Sequence, residues 1–175
     1  ILLHEFGLLP GEAKSEAAGR QLTLTASASN GTVAPGQRVV LVLDIELNPG
    51  MHVYAPGVEG YIPIDWKMKE SPASAPEPAA YPPSEKLYLK AIDETVPAYR
   101  NRFRLTRDLT IQQDGKLKPL LDGTGRFTVE GSLRYQACDD RVCYVPQELP
   151  LKWSFQFQAL DRERAPAGLQ RKAPG

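Results

Sequence analysis

The stretch Arg126-Phe127-Thr128-Val129-Glu130-Gly131-Ser132-Leu133-Arg134-Tyr135 alternates between apolar and polar side chains. Phe127, Val129, Leu133 and Tyr135 share one face, while the charged and hydroxyl side chains share the other. Successive side chains of a β-strand point to opposite faces, so a period of two predicts a strand with one buried face. We therefore expect this stretch to form a long strand over a hydrophobic core.

Similar signals recur on both sides of this stretch, separated by turns rich in glycine, proline and asparagine. Alternation or a short apolar run predicts strands over residues 21–28, 39–47, 51–54, 62–68, 103–113 and 151–157. The candidate for a helix is a short segment within Ser84–Thr95. About seven strands with turn signals between them predict an all-β fold, namely an immunoglobulin-like β-sandwich.

The composition is that of one globular domain with tails. The 175 residues include 21 basic and 21 acidic side chains, so the formal net charge is zero. Nucleic acid is therefore not an expected partner, because binding phosphates requires a basic excess or a basic stripe. No apolar run approaches the roughly 18 residues of a membrane helix, so we expect no membrane insertion of this segment.

The predicted strands occupy the middle of the chain. We expect residues 1–20 to be a linker or the end of an upstream domain, residues 21–160 to be the immunoglobulin-like domain, and residues 161–175 to be a flexible tail. The chain does not begin with Met, and we expect it to be part of a larger secreted or membrane-attached protein.

Two cysteines, Cys138 and Cys143, lie between the two clearest strands. If those strands form a hairpin, the cysteines face each other with Cα atoms roughly 4.5–5.5 Å apart, a distance that a disulfide accepts. As a staple the bond would be weak, because a six-residue ring stabilises a fold by only about 2 kcal/mol. A short ring that adds so little stability is better suited to a redox switch.

The neighbours of the cysteines predict which sulfur is accessible and whether the pair tends to donate or to accept electrons. Alternation puts Tyr135 on the apolar face and Cys138 on the opposite face, so we expect Cys138 to be exposed. Asp139 and Asp140 disfavour a thiolate at Cys138, and Arg141 offsets them in part. We therefore predict a pair on the reducing side, which acts as an electron donor.

Two other roles for the cysteines remain open, an inert structural disulfide and a metal site. A zinc site uses four ligands, and the chain has two cysteines and two histidines. A copper site of Cys143, His52 and Met51 is conceivable, but His52 and Met51 are adjacent and point to opposite faces of a strand. We predict no metal and no separate cofactor.

The cysteine segment has the pattern Tyr-Gln-Ala-Cys, four residues, then Cys-Tyr-x-Pro, over residues 135–146. Followed by an alternating strand, this pattern resembles the amino-terminal periplasmic domain of the thiol:disulfide interchange protein DsbD and its relatives. The segments Pro49–Gly57 and Tyr99–Arg102 are also similar to that family. The resemblance covers residues 21–158 and implies an immunoglobulin-like fold with a role in thiol–disulfide exchange.

The resemblance also implies roles for individual residues. Cys138 and Cys143 would be the exchanging pair, and the order in the family makes Cys143 the attacking sulfur, whereas alternation makes Cys138 the accessible one. Tyr54 and Tyr144 would shield the sulfurs. Apart from the resemblance, the position of His52 beside Tyr54 makes it a candidate to tune a sulfur's pKa, and the alternative is a histidine satisfied by a backbone partner. The two aspartates of the loop, Asp139 and Asp140, are also candidates to tune the pKa of a sulfur.

Partners and location follow from the same resemblance. A thioredoxin-like or membrane-embedded protein would donate electrons, oxidised extracytoplasmic proteins would accept them, and the domain would work in the periplasm. The family often covers its cysteines with a loop that carries an aromatic. The matching stretch, Lys90–Val96, lacks that aromatic, and Tyr88 is a candidate substitute. The alternative function is a non-catalytic immunoglobulin-like binding domain with an inert disulfide.

Overall fold

The computed structural model describes residues 14–158. Most of them lie in thirteen strands, with one four-residue helix, α1 (Asp114–Leu117), and a 3₁₀ turn at Lys118–Leu120. The strands are β1 (Lys14–Gly19), β2 (Leu22–Ala28), β3 (Thr32–Val33), β4 (Arg38–Leu47), β5 (His52–Tyr54), β6 (Asp65–Met68), β7 (Ser74–Pro76), β8 (Glu85–Leu89), β9 (Glu94–Arg100), β10 (Arg102–Ile111), β11 (Arg126–Tyr135), β12 (Ala137–Cys138) and β13 (Gln147–Phe157).

The strands form three sheets, ordered β1-β2-β4-β10-β7, β3-β13-β11-β6 and β12-β5-β9-β8. Side chains of the first two sheets share one hydrophobic core, in which Leu41, Leu105 and Phe155 are fully buried. The indole N–H of Trp153 donates to the carbonyl of Ser27 across the two sheets at 3.0 Å. The prediction of an all-β, immunoglobulin-like β-sandwich is confirmed.

Strands β11 and β13 are antiparallel neighbours from the pair Arg126–Gln156 to the pair Tyr135–Gln147. The apolar faces predicted for both strands point into the core, and their pairs include Phe127 opposite Phe155. The hairpin assumed for the cysteine segment therefore exists. The segment 136–146 connects its two strands.

The third sheet carries the cysteine segment away from the sandwich. After Tyr135 the chain stops pairing with β13, and β12 pairs instead with β5, which places Ala137 opposite Val53 and Cys138 opposite His52. Around β12 and β5 this small sheet is buried on both faces. Val53 and Ala137 belong to the main core, whereas Cys138 belongs to a second hydrophobic cluster with Tyr54, Val96 and Ala98.

The helix expected within Ser84–Thr95 is wrong, because β8 and β9 form an antiparallel hairpin there. Leu87 and Leu89 of β8 pack against the second cluster, whereas Tyr88 between them is exposed. This alternation suits a strand and would spread the two leucines over different faces of a helix. Helix α1 instead follows Gln113, at the Asp114-Gly115 turn.

The predicted division of the chain stays a prediction, because residues 1–13 and 159–175 lie outside the described part. Strand β1 lies within the stretch for which the sequence predicts a linker, and it pairs with β2 along its whole length. No helix among residues 14–158 is both long and apolar enough to cross a membrane.

Gly131 allows β6 to approach β11, and its replacement provides a test of this close packing. A Cβ at Gly131 would lie 2.5 Å from the carbonyl oxygen of Lys67 and 2.7 Å from the sulfur of Met68. We expect Gly131→Ala to lower the free energy of unfolding by about 1–3 kcal/mol, the usual cost of overpacking. Denaturant titration measures the change. In the control Gly123→Ala, the new methyl meets nothing within 4 Å, and an equal loss there would contradict the packing argument.

Candidate functional site

Cys138 and Cys143 form a disulfide at the base of the loop 139–142, with an S–S distance of 2.03 Å and a Cα–Cα distance of 3.9 Å. The two residues also form an isolated antiparallel bridge, so they face each other across the chain reversal. The opposition inferred from their spacing is therefore present. The Cα atoms are closer than the regular strand pair assumed from the sequence.

The two cysteines differ sharply in exposure. Cys138 is 1% exposed and Cys143 is exposed, so the prediction that Cys138 is the accessible cysteine is wrong. The alternation itself holds, because Tyr135 and Ala137 face the main core and Cys138 faces the other way. The error lies in the assumption that this other face meets solvent. The second hydrophobic cluster covers it, and Cys143 remains open to a partner.

The carboxylate of Asp139 organises the loop. Its Oδ1 accepts the backbone N–H groups of Arg141 and Val142, both at 2.8 Å, and its Oδ2 accepts the hydroxyl of Tyr144 at 2.8 Å. The bond from the Val142 N–H, with those from Arg141 and Tyr144, lowers the pKa of Asp139 to about 2. Asp139 therefore serves as a fixed anion that holds the loop, and Tyr144 braces it.

Strand β5 places two polar side chains behind the disulfide. His52 and Tyr54 are two residues apart, so both point toward the second cluster, and both are buried. The Nε2 of His52 lies 3.3 Å from the hydroxyl of Tyr54, which lies 3.7 Å from the Sγ of Cys143. Burial lowers the pKa of His52 and raises that of Tyr54 to about 12.

A small cavity of about 130 Å³ opens onto the disulfide. The predicted residues His52, Tyr54, Cys138, Asp139, Asp140 and Cys143 all line it, whereas the lining does not include Tyr144. The β8–β9 hairpin supplies its far wall through Leu89, Ala91 and Ile92. The stretch predicted to match the family's covering loop thus lies beside the sulfurs.

The aromatic side chains at this cavity are not all those expected from the sequence. The hydroxyl of Tyr88 donates to Asp93 at 2.6 Å, and Tyr88 lies outside the cavity lining. Tyr61, which the sequence analysis missed, stacks on Tyr54 with ring centroids 4.6 Å apart and donates to Glu94 at 3.2 Å. Tyr61 follows an irregular turn after β5, so no periodicity in the sequence marks it.

Exposed apolar side chains are concentrated on the cysteine segment and on the β8–β9 hairpin beside it. Among residues 14–158 five large hydrophobic side chains are exposed, and four of them lie on the cysteine segment or the β8–β9 hairpin. Val142 and Val145 flank Cys143 and are 51% and 70% exposed, and Tyr88 and Ile92 lie on the hairpin. Exposed apolar side chains that group together on a protein surface are typical of binding sites for other proteins.

The described part of the chain brings together no group of three or more histidine, cysteine or acidic side chains that could hold a metal ion. Both cysteine sulfurs are occupied by the bond between them. The arrangement suits chemistry at the sulfurs themselves.

Comparison with known proteins relates the chain to a family of thiol:disulfide interchange proteins. Residues 20–152 match the family model described as "Thiol:disulfide interchange protein DsbD, N-terminal". The crystal structure of the N-terminal periplasmic domain of ScsB from Proteus mirabilis shares the fold, with a TM-score of 0.55 and 15% sequence identity. The match covers 81% of this chain, which spans about half (51%) of that structure. No curated protein is significantly similar in sequence.

Replacing Asp139 tests its role in holding the cysteines together. We expect Asp139→Ala to shift the equilibrium with glutathione several-fold toward the dithiol, because a loosened loop brings the two sulfurs together less often. Mass spectrometry of alkylated protein measures the two forms. Because the pKa of Asp139 is lowered, its effect is present above the ordinary aspartate value near pH 4 and is lost as the pH falls toward about 2.

The matched control is Asp140→Ala, which removes an exposed neighbouring carboxylate. We expect it to leave the equilibrium with glutathione nearly unchanged. Equal shifts in the two variants would show that the negative charge of the loop, and not the hydrogen bonds of Asp139, sets the equilibrium.

Proposed function

The chain belongs to the family of amino-terminal domains of the thiol:disulfide interchange protein DsbD, and we propose that its Cys138–Cys143 pair passes reducing equivalents to partner proteins. Membership in the family makes the chain a thiol–disulfide exchange module and implies a periplasmic location. The difference in exposure between the two cysteines is the observation that carries the proposal.

The proposed reaction starts from the dithiol form. The thiolate of Cys143 attacks a disulfide of the target, so a mixed disulfide forms and one target sulfur leaves as a thiolate. The thiolate of Cys138 then attacks the sulfur of Cys143 and displaces the second target sulfur. In total two electrons pass to the target, whose two sulfurs take up two protons, and the Cys138–Cys143 bond re-forms.

Exposure supports this assignment of the attacking and resolving sulfurs. Attack requires contact with a sulfur of another protein, and Cys143 is the exposed member of the pair. Resolution requires only that Cys138 reach Cys143, and the two residues face each other across the chain reversal. The buried position of Cys138 also protects it from attack by small thiols.

The surroundings of Cys143 support a protein as the partner. Val142 and Ile92 line the cavity at the sulfurs and, with Val145 two residues after Cys143, offer exposed apolar surface. Burying apolar surface stabilises a transient complex. We propose that a thioredoxin-like or membrane-embedded donor and the oxidised acceptors use this same surface in turn. Tyr54 and the β8–β9 hairpin cover the inner side of the pair, whereas Tyr144 acts through Asp139 on the loop.

The alternative is a non-catalytic immunoglobulin-like domain with an inert disulfide. The observation that favours it is the burial of Cys138 within a hydrophobic cluster, because buried structural disulfides resist reduction. The two functions predict different reduction potentials.

The reduction potential of the pair separates these two functions. We expect a value above about −300 mV and well below the roughly −120 mV of a strong oxidant, since no helix begins at these cysteines to stabilise a thiolate. Equilibration with a glutathione or dithiothreitol buffer measures it. A potential below about −300 mV, with no reduction by a thioredoxin-like donor, would establish the inert disulfide.

Single cysteine variants test the order of attack. We expect Cys138→Ala, which retains the exposed Cys143, to accumulate a mixed disulfide with a disulfide-bonded thioredoxin-like protein. The matched variant Cys143→Ala should form at least about tenfold less, because its remaining sulfur is buried. Non-reducing electrophoresis and mass spectrometry measure the adduct. More adduct with Cys143→Ala would reverse the assigned roles, and none with either variant would contradict exchange.

A further inference from the structure

A line of three polar groups leads from the interior to the exposed cysteine. It runs from the Nε2 of His52 to the hydroxyl of Tyr54 over 3.3 Å, and from that hydroxyl to the Sγ of Cys143 over 3.7 Å. His52 is 3% exposed and Tyr54 is 1% exposed. The proposed exchange reaction uses the sulfurs alone, so it gives His52 no part and gives Tyr54 only a covering one.

The direction of the hydrogen bonds along this line depends on the redox state. The sulfur of a disulfide carries no proton, so in its contact with Cys143 the hydroxyl of Tyr54 is the donor, which leaves the hydroxyl oxygen to accept the Nε2–H of the matching His52 tautomer. In the dithiol form the thiol of Cys143 has a proton to donate. The hydroxyl of Tyr54 can then accept a hydrogen bond from the thiol and donate its own proton to an unprotonated Nε2.

We propose that His52 is the proton acceptor for the Cys143 thiol, acting through the hydroxyl of Tyr54. The proposal rests on the exchange function proposed above. The S–H bond of Cys143 breaks and its proton moves to the oxygen of Tyr54, while the hydroxyl proton of Tyr54 moves to Nε2. The products are a thiolate and an imidazolium, and no electrons change hands in this step. After the thiolate has attacked the target, the imidazolium releases its proton to water.

The charges around His52 fit this role. Arg100 lies opposite His52 on β9, with its guanidinium 2.8 Å from Glu85, and Asp139 and Asp140 lie in the cysteine loop. Burial lowers the pKa of His52; Asp140 and Asp139 oppose this effect and Arg100 adds to it. His52 is therefore neutral near pH 7 and able to accept a proton, and the two carboxylates stabilise the imidazolium that forms.

The other groups at the sulfurs are poorer proton acceptors. Three hydrogen bonds engage Asp139 and its pKa is lowered to about 2, so it holds a proton far more weakly than a thiolate does. The pKa of Tyr54 is raised to about 12, so its hydroxyl transmits a proton without remaining ionised. His52 is a positioning and proton-accepting group that acts through Tyr54, and it makes no contact with the target.

The test uses the Cys138→Ala background, in which Cys143 is the one thiol of the chain. The rate of its alkylation by iodoacetamide, followed from about pH 4 to about pH 10, reports the fraction of thiolate. We expect His52→Gln to raise the apparent pKa of Cys143 by about one unit and to slow alkylation near pH 7 by about tenfold. Glutamine retains a hydrogen bond to Tyr54 but takes up no proton.

Two further variants separate a relay from a structural effect. Tyr54→Phe should produce the same shift as His52→Gln, and the double variant should shift no further, because both substitutions interrupt one path. Tyr99→Phe is the matched control: it removes the hydroxyl of a buried tyrosine beside β5 that donates to the carbonyl of Pro82, away from the sulfurs. We expect the control to leave the alkylation profile unchanged.

Profiles of His52→Gln and Tyr54→Phe that overlay the parent profile would overturn the proposal, even if both variants unfold more easily. If His52→Gln fails to fold, Tyr54→Phe alone decides between the two outcomes. The assay involves no partner protein, so it is independent of exchange. A normal shift combined with failure to trap a mixed disulfide would reject the proposed function and leave the relay intact.

Discussion

The site depends on the change of partner strand that follows Tyr135. At that point the chain leaves the sheet of the sandwich, and β12 pairs with β5 in the part of a small sheet that is buried on both faces. Because both faces are covered, Cys138 is buried although it points away from the main core. The chain then reverses over four residues and brings Cys143 back to Cys138 on the outside. Cys138 is thus buried and Cys143 exposed. Neither the spacing of the cysteines nor the sequence of the loop produces this difference by itself.

The stability of the fold and the state of the disulfide are largely separate. The core between the two large sheets contains large buried side chains, such as Trp153 and Phe155. These two residues pair with β11 and lie outside the cysteine loop. A six-residue ring adds only about 2 kcal/mol in the loop-closure model. We therefore expect the domain to stay folded when the disulfide is reduced. The hydrogen bonds of Asp139 hold the loop that joins the two cysteines.

Strand β5 connects the scaffold to the chemistry. Its central residue, Val53, is fully buried in the main core, while its two outer residues, His52 and Tyr54, point to the sulfurs. A rigid strand that is held on both sides, by β9 and by β12, fixes those two side chains more accurately than a loop would. The same strand therefore determines where the sulfurs lie and which polar groups they meet.

Much of the fold could be predicted from the sequence, because alternation is a local property. The faces of β11 and β13, the all-β class and the opposition of the two cysteines all follow from periodicity and spacing. The cysteines and His52 were candidates from the residues themselves, and the family resemblance added Tyr54. Tertiary structure alone decided what covers each face: Cys138 obeyed its alternation and was nevertheless buried. It also decided that residues 85–100 form a hairpin beside the sulfurs and that Tyr61 reaches Tyr54. Burial and contact depend on which distant strands become neighbours, and no local pattern in the chain records that choice.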